Sequence, residues 1–249
     1  MTTDDKKIVI VLGAYGGIGR EICRYNYVRG AKVVLVGRDQ TKLLKMKGDY
    51  DAKNSIAIVG DANNIEDVRK VFTVTLEEFG GPDEVWVTIG KDGAWERDFP
   101  PDQPDYDEEK SLALWNRLYP SLLKPLEVVC PIAEEFFRKQ GHGILVHLSS
   151  HVTFKGEDEL PGNYTYRRLK VAAEKIVLAM RRALKDTGAT AINLRPAIIL
   201  TEGNMGVLNT PEKRVDAVQP EEMAKWIDKN AKNPKISEHH YFHSDVVIA

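Results

Sequence analysis

Tyr166 and Lys170 stand four residues apart in YRRLK, and on a helix that spacing puts both on one face. A phenol can hand a proton to a developing alkoxide, but its ordinary pKa of about 10 makes it a poor acid or base near neutrality. An ammonium beside it favours the tyrosinate and brings that value down. Ser150, closing the stretch HLSS, adds a hydroxyl that could polarise a carbonyl oxygen held next to Tyr166. The three side chains suit proton transfer to the oxygen of a carbonyl being reduced, or from an alcohol being oxidised. Tyr164 offers a competing register, but its partner four residues on is Arg168, which exchanges no proton in this range.

Such a reaction needs a hydride carrier, and GAYGGIGR, Gly13 to Arg20, makes room for one. Glycine inside a helix or strand costs roughly 0.5 to 1 kcal/mol relative to alanine, so a cluster of them answers a need. In a strand-turn-helix unit Gly13, Gly17 and Gly19 allow a tight turn, close backbone approach to a pyrophosphate, and close packing of helix on strand. The helix beginning near Ile18 then aims its first amides at the anion.

The elements that must position these groups follow from periodicity. Apolar runs rich in Val and Ile recur at Lys7 to Leu12, Lys32 to Val36, Ser55 to Val59, Glu84 to Ile89, Gly143 to Leu148, Ala189 to Leu194 and Tyr241 to Ile248. Between them, Asp67 to Glu78, Glu127 to Lys139, Leu169 to Leu184 and Glu221 to Lys229 carry apolar residues at three- and four-residue spacing. Alternating strand and helix predicts an α/β fold: a Rossmann-like, doubly wound, seven-stranded parallel sheet with helices on both faces. With 249 residues, 43% of them hydrophobic, the chain reads as a single domain over 1–249. Residues 90–109, acidic and proline-containing without usable period, read as a long loop after the fourth strand, either a solvated excursion or a lid.

Composition narrows the partners. A net charge of −2 gives no overall basic field for nucleic acid or an anionic membrane, and Ile8 to Leu12 is too short an apolar run for a leader or a span. A cytoplasmic protein acting on a small molecule is expected. Cys23 and Cys130 form neither a framework nor a metal spacing and read as buried thiols. His239, His240 and His243 suggest metal, but neighbours in a strand point to opposite faces and no carboxylate or cysteine spacing accompanies them, so no metal is expected.

In its motifs the chain resembles the short-chain dehydrogenase/reductase family, as a divergent member, over nearly its whole length. G-x-x-x-G-x-G at Gly13, Gly17 and Gly19 is that family's glycine spacing, with Leu12 where Thr is usual. Asp61 in VGDANN, Ser150, Y-x-x-x-K at Tyr166 and Lys170, RPAIILT from Arg195 to Thr201, and PEEMA from Pro220 follow in the family's order. The resemblance implies a Ser150, Tyr166 and Lys170 site, with Lys170 also on the nicotinamide ribose. It implies a cofactor site drawn from Gly13, Tyr15, Gly17, Ile18, Gly19, Arg38, Asp61, Ala62, Gly90, Tyr166, Lys170, Pro196, Ile199 and Thr201, with Asp61 as an adenine contact. It further implies a carbonyl or alcohol substrate, B-face hydride transfer, a substrate loop within 201–219, and a homodimer or homotetramer.

The second apolar run ends VVLVGRDQ, with Gly37 where an NAD-binding chain would place an acidic residue for the ribose diol, and Arg38 next. A guanidinium there can pair with a 2′-phosphate that a carboxylate would repel, so NADP is expected over NAD. Departures from the family pattern fall elsewhere. Val87, Thr88 and Ile89 replace the N-N-A of N-N-A-G, and only Gly90 survives. Leu122 occupies the place of the family's proton-relay Asn, with Ser121 beside it and Asn116 a decoy. These changes bear on proton resupply and leave open an alternative, a cofactor-binding regulator or scaffold with weakened chemistry. Arg167 and Arg168 read as exposed helix arginines or as an anionic-substrate site, and His147 and His151 as packing or cleft-lining residues.

Overall fold

The computed structural model describes residues 6–90, 97–154, 162–196, 199, 218–230 and 239–242. Seven strands, β1 (Ile8–Leu12), β2 (Lys32–Gly37), β3 (Ser55–Val59), β4 (Glu84–Val87), β5 (Gly143–Leu148), β6 (Ala189–Pro196) and β7 (His239–Phe242), lie in the order β3-β2-β1-β4-β5-β6-β7. Every neighbouring pair is parallel. Parallel neighbours need crossovers. These contain α1 (Gly17–Val28), α2 (Gln40–Lys47), α3 (Ile65–Phe79), the consecutive α4 (Glu108–Leu122) and α5 (Lys124–Gln140), α6 (Tyr164–Ala183) and α7 (Pro220–Asn230). The chain builds outward from β1 to β3 and then returns to place β4 on the other side of β1, which opens a crevice between their carboxyl ends.

Helices cover both faces, so β1 is a continuous apolar run rather than an alternating one, while β4 and β5 bury Glu84 and His147 among apolar neighbours. All five residues of β1 are buried. Ile10 and Leu12 join Phe72, Leu118, Leu126, Phe137, Leu169 and Val177 on one face, under α3 to α6. Val9 and Val11 join Ile22, Leu43, Met223 and Ile227 on the other, under α1, α2 and α7. The two thiols lie one in each layer, and burial pushes both well up from the ordinary thiol range. No helix among the described residues is long and apolar enough to cross a membrane.

At the amino ends of the strands a small ionic cluster ties β1, β4, α1 and α7 together. The Lys7 ammonium lies 3.1 Å from Glu84 and also pairs with Asp228. The Trp86 indole donates to Glu84 at 2.9 Å, and the Tyr25 hydroxyl donates to Asp228 at 2.9 Å. Burial pushes the Glu84 carboxyl up despite Lys7, and burial followed by the Asp228 bond pushes Tyr25 up to about 12.

The last strand corrects one expected boundary. It begins at His239 rather than Tyr241, because pairing with β6 runs from Asn193↔His239 to Pro196↔Phe242; residues 243–249, expected in the same strand, lie outside the described residues. His240 is buried and stacks on Trp226 with ring centroids 3.9 Å apart, an imidazole where periodicity would look for Val or Ile. Helix α4 starts at Glu108, capped by the Asp107 carboxylate accepting from Lys110 N, so the preceding loop ends two residues short of 109.

The entry to α1 depends on backbone touching backbone. Gly13 has φ +91°, and a Cβ built on Gly19 would stand 2.2 Å from the Gly13 carbonyl oxygen. Gly90, by contrast, would meet only a Leu122 methyl at 3.9 Å. Gly19→Ala should therefore cost about 1 to 3 kcal/mol by overpacking, while Gly90→Ala stays within about 0.5 kcal/mol; urea unfolding of the two variants checks this, and equal losses would contradict the close contact.

Candidate active site

Five glycines, Gly13, Gly16, Gly37, Gly60 and Gly90, line the crevice beside β1. Gly13, Tyr15 and Gly16 face Gly37, Arg38, Asp61, Ala62, Ile89 and Gly90 around a cavity of about 190 Å³. Amides at the starts of α2, α3 and α4 are taken by the side chains of Asp39, Asn64 and Asp107. Helix α1 has no such cap and no acidic residue in its first turn, and Gly16 precedes it in extended conformation. Uncapped amides, a positive helix end and absent side chains are what a pyrophosphate requires. Gly17 is exposed at this helix start, Gly19 is buried against Gly13, and Ile18 packs on the core behind them.

At the far end of the crevice Arg38 is 72% exposed, with its guanidinium 3.7 Å from the Asp61 carboxylate. An exposed pair of this kind contributes at most about 1 kcal/mol, so Arg38 can turn to another anion at little cost. The Tyr15 ring lies across Gly37, where a Cβ would approach it to 2.3 Å, and its hydroxyl accepts from Asp39 N at 3.2 Å. Two cleft residues were not assigned to the site from the motifs: Thr88, whose hydroxyl donates to the Leu12 carbonyl at 2.8 Å, and Asn63, whose amide donates to Pro120 O at 2.8 Å; Ser121, noted beside Leu122, also lines the cleft. Thr88 could have been suspected, since a hydroxyl had replaced the expected amide there.

Ser150, Tyr166 and Lys170 come from two neighbouring elements. Ser150 follows β5 and is the N-cap of a single 3₁₀ turn, His151–Thr153, its hydroxyl accepting from Val152 N at 3.4 Å. Lys170, one turn along α6 from half-buried Tyr166, is buried, donates to the Leu148 carbonyl at 2.7 Å, and lies 6.0 Å from the centre of the Tyr166 ring. The structure thus brings an ammonium to the phenol and ties it to the strand end that carries Ser150. Pro196 closes β6, Ile199 is buried and bridged to Val218, and Thr201 lies outside the described residues, as does the expected substrate loop through residue 217.

Behind these groups lies a buried polar cluster. Glu174 accepts from Ser149 Oγ at 2.6 Å, Thr153 Oγ1 at 2.8 Å, Arg195 Nε at 2.6 Å and Arg195 Nη2 at 2.5 Å. Burial alone would raise the Glu174 carboxyl, but the bonds from Arg195 and Ser149 outweigh it and hold the group below its ordinary value. His147, on β5, bonds Asn193 on β6 at 2.8 Å and is packed in the interior rather than lining a cleft. Glu174 falls within the amphipathic stretch Leu169 to Leu184 and Arg195 opens the segment RPAIILT, and neither had been singled out as a site residue.

The acidic loop is fastened to the same helix. Asp98 is buried, receives Thr165 N at 3.1 Å and Ser111 Oγ at 3.1 Å, and so covers the amino end of α6; residues 91–96 and 155–161 lie outside the described residues. Arg167 donates to Val152 O at 3.0 Å, and Arg168 lies over Trp115 and Tyr164 at 5.2 and 5.0 Å. Leu122 is a core residue 3% exposed, Ser121 donates to Leu118 O at 3.1 Å, and Asn116 is exposed on α4.

Comparison with known proteins gives this arrangement a lineage. The sequence model of the short chain dehydrogenases matches residues 7–212, and the chain belongs to that family of oxidoreductases. A curated relative, an uncharacterized oxidoreductase of Staphylococcus aureus strain N315, is 25% identical over 94% of this chain and 95% of its own. The fold is shared with ElxO, solved with NADP bound, at TM-score 0.77 and 18% identity over 94% of this chain and 95% of that one. It is also shared with an alcohol dehydrogenase from the archaeon Thermococcus sibiricus, solved with 5-hydroxy-NADP, at TM-score 0.72 and 20% identity over 97% of each chain.

The buried imidazoles set a pH dependence. Burial, then the Lys170 ammonium, brings His147 down to about 3, and burial brings His240 down to about 4. In the unfolded chain each takes up a proton near pH 6.5. The unfolded state therefore binds more protons than the folded one between pH 7 and pH 5, and stability falls as pH falls through that window, by about 1.4 kcal/mol per pH unit for His147 once below 6.5. Urea unfolding at pH 7.5, 6 and 5 should show the decline, with a shallower slope in His147→Gln; a flat wild-type profile would contradict it.

Proposed function

We propose that the chain is an NADPH-dependent carbonyl reductase, or the reverse alcohol dehydrogenase, with Ser150, Tyr166 and Lys170 as its reacting site. The observation that carries this reading is the meeting of Lys170 with both Tyr166 and the end of β5, one residue before the Ser149–Ser150 pair. The crevice supports a dinucleotide, since its glycines remove side chains where the uncapped α1 terminus faces it. When bound, the reduced nicotinamide would supply hydride to the substrate carbon.

The chain's own residues then handle the oxygen. Ser150 would donate its hydroxyl hydrogen to the carbonyl oxygen, its lone pair being already engaged by Val152 N. Tyr166 would give its phenolic proton to that oxygen as charge develops, leaving a tyrosinate, and the buried Lys170 ammonium would stabilise this anion. Tyr166 must afterwards be reprotonated. Leu122, packed in the core, offers no polar group for that step, which makes proton resupply the candidate for the slow step.

Arg38 supports NADP as the cofactor. Its exposed guanidinium lies 3.7 Å from the Asp61 carboxylate, which a 2′-phosphate could replace as its partner. Two of the structural relatives were solved with NADP-type ligands, which favours the same choice.

Loss of NADPH absorbance against a panel of ketones, aldehydes and quinones should reveal turnover, and Tyr166→Phe should reduce it by about 10² to 10⁴. Binding of NADPH with no turnover on any panel member would instead favour the regulatory or scaffold reading that Leu122 suggests. Arg38→Leu should weaken NADPH by about tenfold to a hundredfold, the loss of a charge-assisted bond, and NADH far less. Equal losses, measured by fluorescence titration of each cofactor, would count against NADP.

A further inference from the structure

We infer that Glu174 is a positioning residue, which fixes Ser150 against Tyr166 and Lys170 by gripping the chain on both sides of it. The inference rests on the reductase reading above and adds a fourth member to its site. Tyr166, Lys170 and Glu174 recur every fourth residue along α6, so the carboxylate lies on the helix face that presents the phenol and the ammonium. Its Oε1 accepts from Ser149 Oγ at 2.6 Å and lies 2.8 Å from Thr153 Oγ1, whose single hydrogen it shares with the Ser150 carbonyl at 2.9 Å; these residues stand just before and three after Ser150. Ser149 N also donates to Leu194 O at 2.8 Å, and Lys170 holds Leu148 O. The short turn with Ser150 at its head is thereby fastened at each end to the helix that carries its two partners.

Arg195 keeps the grip in one geometry. Its fork reaches both carboxylate oxygens, which fixes the plane of the group as a single ammonium could not. Arg195 precedes Pro196 at the end of β6, so three elements converge on one buried carboxylate: α6, the turn after β5, and β6. Stability alone gives a weak reason to bury such a pair, because well-packed apolar residues of similar volume often serve as well. Position gives a stronger one, since a reacting group displaced by about 1 Å can cost a hundredfold in rate.

The decisive variants leave the ion pair untouched. Ser149→Ala/Thr153→Val removes both hydroxyls that grip the turn, whereas Thr153→Ser keeps the second. The double variant should stay folded and retain NADPH affinity, with a melting temperature lowered by the two lost hydrogen bonds, yet lose about tenfold to a hundredfold in kcat per folded molecule, and amide exchange at Val152 to Phe154 should quicken. Thr153→Ser should match the wild type in each respect. Wild-type kcat in the double variant, or a loss no larger than its loss of folded protein, would overturn the inference. Should the wild type itself bind NADPH and turn over nothing, the reductase reading fails by itself. Exchange then decides the matter of Glu174: faster exchange in the double variant upholds the grip, and unchanged exchange overturns it.

Discussion

Among the described residues seven strands run in one direction with no hairpin between them, and that single constraint arranges everything else. Each strand must be joined to the next by a return over a face of the sheet, so both faces are covered and the strands are mostly apolar, with every residue of β1 buried. All carboxyl ends fall on one edge. Residues as distant in sequence as Gly13, Arg38, Asp61, Gly90, Ser150 and Pro196 are neighbours along that edge because each follows or closes a strand. The reversal of strand order at β1 and β4 then decides where along the edge the opening lies.

The two halves of the opening are made differently. The end near α1 is built from backbone: positive-φ Gly13, an uncapped helix and a lightly held Arg38, all accessible to a ligand. Around Ser150 and Tyr166 the chain instead commits charged side chains to the interior and satisfies them there, with Lys170 on a carbonyl, Glu174 on Arg195 and two hydroxyls, and Asp98 on the first amides of α6. Buried charge is tolerated only when so satisfied. The first half can adapt to what it binds, whereas the second is held before anything arrives.

Sequence reading recovers what periodicity and glycine spacing govern. The strands, the α/β class and the glycine turn were all legible because each is local: an apolar run, or a missing side chain next to one. Interactions across the fold were not. Glu174 and Arg195 are 21 residues apart on different elements, and nothing in either neighbourhood marks them as partners. Asp98 sat within a stretch whose prolines and carboxylates suggested solvent, yet it is 3% exposed. The start of β7 was missed because it opens on two histidines, of which His240 stacks on Trp226, rather than on the Val or Ile run that periodicity detects.

The cluster joining Lys7, Tyr25, Glu84 and Asp228 has a bearing on how the molecule comes into being. Lys7 and Asp228 are separated by 221 residues, so the contact closes only after almost the whole chain has left the ribosome. Until then the outer face of α1, with Ile22, Cys23 and Tyr25, lacks the cover that Met223, Ala224 and Ile227 of α7 later provide. Loop closure over such a span is slow compared with helix formation. Helix α1 is thus synthesised well before the helix that completes its cover, and in that interval part of its apolar surface is open to chaperones that bind nascent chains.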